Sequence, residues 1–271
     1  MIKRKLGFIG AGKMAEALAR GVLRSGCVAA RNVFAADPSA QRRKAFARLI
    51  GRNVSADNGA LVRAADVIVL AVKPQVLPGV LEEIAPAITG RHLVVSIAPG
   101  FTTARLGEKL RTRRLIRVMP NTPALVAEGA AAFCRGAGAT KADGALVREM
   151  LSAVGVCEEV DEKFMDAVTG LSGSGPAYFY TVIEALSDGG VKMGLSREVA
   201  TRLAAQTVLG AARMVIETGL PPSELRDQVT TPGGTTIEGL RVLDEARVHK
   251  AFMDAVKAAT HKSRLLGKRR Q

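Results

Sequence analysis

Two glycine-rich segments of this chain combine residue types and spacings that can do chemistry. In "GFIGAGKMAEAL", Gly10, Gly12 and Ala15 form a G-x-G-x-x-A pattern after an apolar run and before helical spacing. The first glycine permits a tight turn and the second lets backbone approach a pyrophosphate. The small third residue lets helix and strand pack closely. The N–H groups and macrodipole of the following helix then face the phosphate. The other segment, "VTTPGGTTIEGL" from Val229 to Leu240, sets a proline, two adjacent glycines and four threonines before a helix-like run. Residue types alone leave it open as a plain turn, a phosphate cradle or a loop that holds a small molecule.

Further candidates stand where strands are expected to end. Asp37 can accept hydrogen bonds from an adenosine ribose 2′-OH, which favours NAD(H). Arg42 or Arg43 can fold back to neutralise it and admit a 2′-phosphate, so NADH and NADPH both stay open. The plainer reading makes Asp37-Pro38-Ser39 a helix start. "AVKPQ" (71–75), "SIAPG" (96–100) and "MPNTPA" (119–124) follow three more apolar runs. Lys73 can meet ribose or phosphate, and Asn121 can bond an amide. In an open parallel sheet, ligands bind beyond the carboxyl ends of strands, so three such loops on one sheet edge predict a crevice. "TGLSGSG" misses the G-x-S-x-G nucleophile pattern, because Ser174 replaces the last glycine, and no histidine lies nearby in sequence. Hydrolase chemistry is therefore not expected.

Positioning these residues requires an alternating α/β framework. Up to about Val160, the strand segments "LGFIG", "NVFAA", "DVIVLAV", "HLVVSI", "RLIRVM" and "GAAAFCR" are separated by helical ones. These include "KMAEALARGVLRSG", "SAQRRKAFARLIG" and "QVLPGVLEEIAPAI". Near-continuous apolar strands alternating with helices predict a parallel sheet covered on both faces. Beyond Asp161 helical spacing dominates, over about 176–193, 197–217 and 245–266, with "GLSGSGP" read as a loop leading into a helix. The division expected is thus 1–160 for a nucleotide-binding domain and 161–271 for a helical domain suited to dimerisation.

The 271 residues suffice for two modest domains, and 48% hydrophobic with 24% charged residues is a globular composition. A formal charge of +14 raises nucleic acid as a partner. The cations are spread through the chain, however, and aromatics are only 4%. The tail "KSRLLGKRR" reads as a solvated helix end, and no nucleic-acid module is present. No run has the length and apolarity of a membrane span. The opening "MIKRKLGFIGAGK" reads as a strand rather than a signal peptide. Cys27, Cys134 and Cys157 show no CxxC spacing, and His92, His249 and His261 form no local cluster. A cytoplasmic protein without a metal site is expected.

Seven segments together resemble the pyrroline-5-carboxylate reductase family: "GFIGAGKMAEAL", "DVIVLAVKPQ", "VVSIAPG", "MPNTPALV", "AVTGLSGSGPAY", "DGGVKMGL" and "VTTPGGTTIEGLRVL". The resemblance runs nearly end to end, and the last segment is its most specific signature. It implies an N-terminal Rossmann-type domain and an all-helical C-terminal dimerisation domain. It also implies reduction of the ring C=N of L-1-pyrroline-5-carboxylate to L-proline by NADPH or NADH, in homodimers that often assemble into decamers. Carried over by position, it puts Ile9, Gly10, Ala11, Gly12, Lys13, Met14, Asp37, Asn58, Ala71, Val72, Lys73, Pro74, Ile97, Ala98 and Pro99 around the cofactor. Thr235 and Thr236 fall at substrate positions, with Glu162 a third. Thr231, Gly233 and Gly234 complete a carboxylate-holding loop.

Three departures accompany the resemblance. Pro99 stands where alanine is usual, Thr231 where serine is commoner, and Gln228 where some members have a cofactor-contacting asparagine. A cyclic imine needs orientation and polarisation more than a strong acid. Thr236 Oγ is thus expected to bond the ring nitrogen, as the catalytic group, while backbone N–H groups of Gly233 to Thr235 hold the carboxylate. A β-hydroxyacid dehydrogenase is the rival enzyme. It would need a lysine and asparagines on the interdomain helix, where "SGSGPAYFYTVIEALSDGG" has neither. A non-catalytic NAD(P)-binding scaffold is the other alternative, and it would have no use for the "PGGTT" loop.

Overall fold

The computed structural model describes residues 2 and 4–269. Arg270 of the basic tail, and residues 1 and 271 at the expected domain limits, lie outside the described residues. Among the described residues eight strands form one sheet: β1 Leu6–Ile9, β2 Val33–Ala36, β3 Val54–Ser55, β4 Val67–Leu70, β5 Leu93–Ser96, β6 Leu115–Met119, β7 Gly129–Arg135 and β8 Gly155–Glu159. Their order is β3-β2-β1-β4-β5-β6-β7-β8. Twelve α-helices accompany them among the described residues: α1 Lys13–Arg24, α2 Ala40–Ile50, α3 Asn58–Ala64, α4 Leu77–Ile84, α5 Thr103–Leu110, α6 Lys141–Ser152, α7 Met165–Val168, α8 Gly175–Lys192, α9 Arg197–Thr218, α10 Pro222–Gln228, α11 Thr235–Glu245 and α12 Val248–Arg269.

Because strand side chains alternate between faces, a strand that is apolar throughout must be covered twice. β4 shows this directly. Val67 and Val69 pack with Leu18, Val22, Phe46 and Val147, from α1, α2 and α6. Ile68 and Leu70 pack with Leu61, Leu81 and Leu106, from α3, α4 and α5. The aromatic pair Phe8 and Phe46, with ring centroids 5.9 Å apart, anchors α2 to β1. Burying such side chains stabilises by about 1.5–3 kcal/mol each.

The sheet departs from the expected all-parallel arrangement at β7, which runs antiparallel to β6. Only residues 120–128 connect the two strands, and a parallel crossover needs a dozen or more residues. β8 then pairs parallel with β7 at the edge, where its partly exposed "GVCEE" carries little apolar signal. Helix α6 returns the chain to β8. Its N-terminus is fixed by a capping box, in which Thr140 and Asp143 exchange side-chain-to-backbone bonds. Asp143 is fully buried and also accepts bonds from Arg114 Nε at 2.9 Å and Nη2 at 2.6 Å. Arg4 adds a third partner at 3.2 Å.

Compactness divides the chain into residues up to 173 together with 258 onward, and residues 174–257. This differs from the 160/161 limit read from strand and helix patterns, because α7 and the end of α12 belong with the sheet unit. Asp166 of α7 accepts a hydrogen bond from Ser263 Oγ of α12 at 2.7 Å, which accounts for the grouping. "TGLSG" is not the loop expected. It continues α7 as a π-helical turn, Thr169–Gly173, held partly by Thr169 Oγ1 donating to the Met165 carbonyl. In the second unit α8 and α9 match the long helices expected. Large apolar side chains stay exposed there, including Phe179 at 54% and Ile216 at 73%.

Candidate active site

The turn after β1 is shaped by Gly10, whose φ of +95° suits glycine, and whose Cβ would sit 2.8 Å from the Ala71 carbonyl oxygen. Its N–H donates to the Ala36 carbonyl at 2.7 Å, which ties the turn to the end of β2. Gly12 is the N-cap of α1 and brings no capping side chain to the first N–H groups. A Cβ on Gly12 would meet nothing within 4 Å, so open space lies above the helix start. Ala15 is fully buried beneath, as a residue in the close helix–strand contact must be.

Asp37 is 2% exposed and braces this turn. Its Oδ2 accepts from the Ala11 N–H and its Oδ1 from the Ser39 N–H, both at 2.9 Å. Each oxygen retains a further lone pair. Arg42 Nη1 stands 3.6 Å from Oδ2, while Arg43 Nη1 donates to the Asp37 and Pro38 carbonyls at 2.8 Å each. The N-cap of α2 is Ser39, whose hydroxyl accepts from the Arg42 N–H. Asp37 therefore does more than begin a helix.

A cavity of about 630 Å³ opens along the carboxyl ends of β1, β2, β4, β5 and β6. Gly10, Gly12, Lys13, Met14, Asp37, Ala71, Val72, Lys73, Ile97 and Pro99 line it, all expected from the sequence. Ile9, Ala11 and Ala98 are buried backbone supports for these residues. Pro38, Arg42, Val76, Met119 and Pro120 complete the lining. Arg42 was named in the sequence for its charge beside Asp37, and Met119 and Pro120 fall in the expected 119–124 segment, whereas nothing in the side-chain type of Pro38 or Val76 singled them out. A dinucleotide fits this donor set. The uncapped helix start and the open space at Gly12 suit a pyrophosphate, and Lys13, Lys73 and Arg42 supply positive charge around it.

Four expected residues are placed less simply. Pro74 follows Lys73 without lining the cavity. Asn58 opens α3 and is buried, its Nδ2 donating to Glu83 Oε2 at 2.8 Å. Asn121 does not line the cavity. Its amide is already engaged at both ends, donating from Nδ2 to the Ser172 carbonyl at 3.0 Å and accepting at Oδ1 from the Ala130 N–H at 2.9 Å. Glu162 accepts from the N–H and hydroxyl of Thr103 at 2.7 and 2.6 Å, and Arg117 Nη1 lies 3.6 Å away. Its carboxylate thus serves the N-terminus of α5.

The residues expected to form a substrate loop lie in the second unit. Gly233 has φ +70°, and a Cβ on Gly234 would fall 2.3 Å from Thr231 Oγ1. The two glycines thus permit a tight turn, closed by the Gly234 N–H donating to the Thr231 carbonyl at 3.0 Å. Gly234 is the N-cap of α11 and supplies no capping side chain. The first backbone N–H groups of α11 lack a capping side chain, and Thr235 and Thr236 stand in the same first turn, so this helix start offers donors of the kind a carboxylate takes.

Other reactive groups are structural. Burial and the charge of Arg91 hold His92 below its ordinary pKa. Its Nδ1 accepts from the Thr89 N–H at 2.9 Å, leaving Nε2 to donate to the Val62 carbonyl at 3.0 Å. Burial pushes the Cys134 thiol up to about 12 and the Cys157 thiol to about 11, so neither is a ready nucleophile. Among the described residues no helix is long and apolar enough to cross a membrane.

Comparison with known proteins agrees with this arrangement in both halves. Residues 162–266 match the family model "Pyrroline-5-carboxylate reductase dimerisation", and residues 5–100 match "NADP oxidoreductase coenzyme F420-dependent". The pyrroline-5-carboxylate reductase of Methanosarcina acetivorans is 47% identical over 270 residues, 99% of this chain and 100% of that one. The solved structure of a pyrroline-5-carboxylate reductase from Coxiella burnetii superposes with a TM-score of 0.92 at 34% identity, covering 98% and 99% of the two chains. That of the Plasmodium falciparum pyrroline carboxylate reductase, solved with NADP bound, gives 0.87 at 37% identity over the same shares. With this identity sustained across both units, the chain belongs to the pyrroline-5-carboxylate reductase family.

Proposed function

We propose that the protein reduces L-1-pyrroline-5-carboxylate to L-proline with NADPH or NADH, the last step of proline biosynthesis. The observation that carries this reading is the glycine turn and uncapped helix start at Gly233–Thr236, in a chain that also has a cavity lined by Gly10, Gly12, Lys13 and Asp37. NAD(P)H supplies the hydride. Gly10 and Gly12 leave room for the pyrophosphate at the start of α1, Lys13 and Lys73 offset its charge, and Asp37 and Arg42 meet the adenosine ribose. The N–H groups of Gly233 to Thr235 hold the substrate carboxylate, assisted by the Thr231 and Thr235 hydroxyls. Thr236 Oγ–H donates to the ring nitrogen, which draws electron density from the imine carbon. Hydride adds to that carbon and a proton to the nitrogen, giving the ring amine.

In this reading residues 161–271 form the substrate-binding and dimerisation domain and 1–160 the nucleotide domain. Homodimers, assembled into decamers, act in the cytoplasm, where three free cysteines are at home. The test follows oxidation of NADPH and of NADH with the imine, and reduction of NAD(P)+ with a 3-hydroxyacid. Turnover of the imine alone is expected. Turnover of the hydroxyacid supports the dehydrogenase instead, and cofactor binding without either reaction supports the scaffold.

A further inference from the structure

The motif "TGLSGSG" has no part in this chemistry, yet its Gly173 stands against Met119, a residue of the cavity wall. π-helical turns such as Thr169–Gly173 recur at functional sites. A Cβ on Gly173 would lie only 2.5 Å from Met119 Cε, so the Met119 side chain fills the space a larger residue would need. Asn121 clasps the same region, joining the Ser172 carbonyl to the Ala130 N–H that begins β7. Met119 and Pro120 line the cavity beside Ile97 and Pro99. In the sheet order, β5 and β6 lie on the opposite side of β1 from β2, which carries Asp37. A dinucleotide with its adenosine half at Asp37 and its pyrophosphate at Gly12 extends its nicotinamide half toward β5 and β6.

Resting on the reading of this cavity as the NAD(P) site, we propose that Met119 walls its nicotinamide end, and that Gly173 and Asn121 are positioning residues that set where the Met119 thioether stands. Methionine is unbranched and adaptable, so its location depends on what backs it. The backing here is a bare glycine on a π-helical turn, pinned by one buried amide. A methyl group at Gly173 must displace Met119 Cε, and the open space beside that side chain is the cavity.

The test is isothermal titration of the full chain with NADPH and NADH, and with the adenosine halves ADP and 2′,5′-ADP. Gly173→Ala is expected to weaken both dinucleotides on the order of tenfold, the scale of a crowded packing site, and to leave both half-molecules unchanged. In a Met119→Ala background the same Gly173→Ala change is expected to have no effect, because the displaced group is gone. Equal weakening of the half-molecules, or no relief in the double variant, overturns the inference. Should Gly173→Ala fail to fold, Met119→Ala alone decides. Loss of a sulfur–ring contact raises the dinucleotide Kd about threefold with 2′,5′-ADP unaffected, and an unchanged dinucleotide Kd overturns the proposal. Wild-type protein that binds neither dinucleotide contradicts the cofactor reading and the inference with it. Wild-type binding with an indifferent Gly173→Ala overturns the inference alone.

Discussion

At the residue scale the chemistry narrows to a few polar atoms. Replacing Thr236 by valine keeps its shape and removes the hydroxyl. One oriented donor is worth ~2.7–4 kcal/mol, so kcat should fall roughly 100- to 1000-fold while the protein stays folded. Thr236→Ser should retain most activity, and steady-state kinetics of the two variants checks this. Arg42 lines the cavity within 3.6 Å of Asp37, and its exposed guanidinium can reach a 2′-phosphate. Arg42→Ala should therefore raise the Kd for NADPH more than that for NADH, by about tenfold for a charge-assisted bond. Titration of both cofactors reads the difference. Gly10, Gly12 and Asp37 were legible in the sequence because the pattern G-x-G-x-x-A and the acid beyond the next strand are local. The bonds of Asn121 were not, since Ser172 lies far along the chain and nothing near Asn121 announces it.

Elements carry the next level, and Asp143 shows how one residue can hold several. It caps α6, pairs with Arg114 before β6, and meets Arg4 before β1. Burial pushes its pKa up, but the bonds from Arg114 and Thr140 outweigh that and hold it well below the ordinary carboxylate range. Because its folded value lies below the unfolded one, its stabilisation is complete above about pH 4 and is lost as pH falls through the folded value. Asp143→Ala leaves Arg114 without its buried partner and should cost about 3–5 kcal/mol. Urea unfolding at neutral pH and near pH 3 checks both the loss and its reduction in acid. Apolar runs made the central strands and helices α1, α2 and α4 easy to anticipate, whereas α3, α5 and α6 were not marked out. The reversal of β7 was not legible from its own residues, because "GAAAFCR" reads the same in either direction, and only the short connection decides it. β8 escaped notice because an edge strand can be polar and still pair.

At the scale of the whole molecule, the second unit leaves large apolar side chains such as Phe179, Leu203, Met193 and Ile216 exposed. The match of residues 162–266 to a dimerisation family gives that exposure a cause. Placing a charge at Ile216 or Phe179 should shift the protein toward smaller species, and light scattering coupled to size exclusion measures it. The two-part plan of the chain was legible where strand patterning gives way to helices. Its compact boundary was not, because the Asp166–Ser263 bond joins segments at distant sequence positions. Delivery of hydride from the cofactor to a cyclic imine can be followed by incubating the protein with pyrroline-5-carboxylate and NADPH or NADH deuterated at the transferable C4 position. Mass spectrometry is expected to show L-proline carrying one deuterium at the former imine carbon. Folded protein that binds the cofactor yet yields no proline, or yields it unlabelled, rules out that transfer.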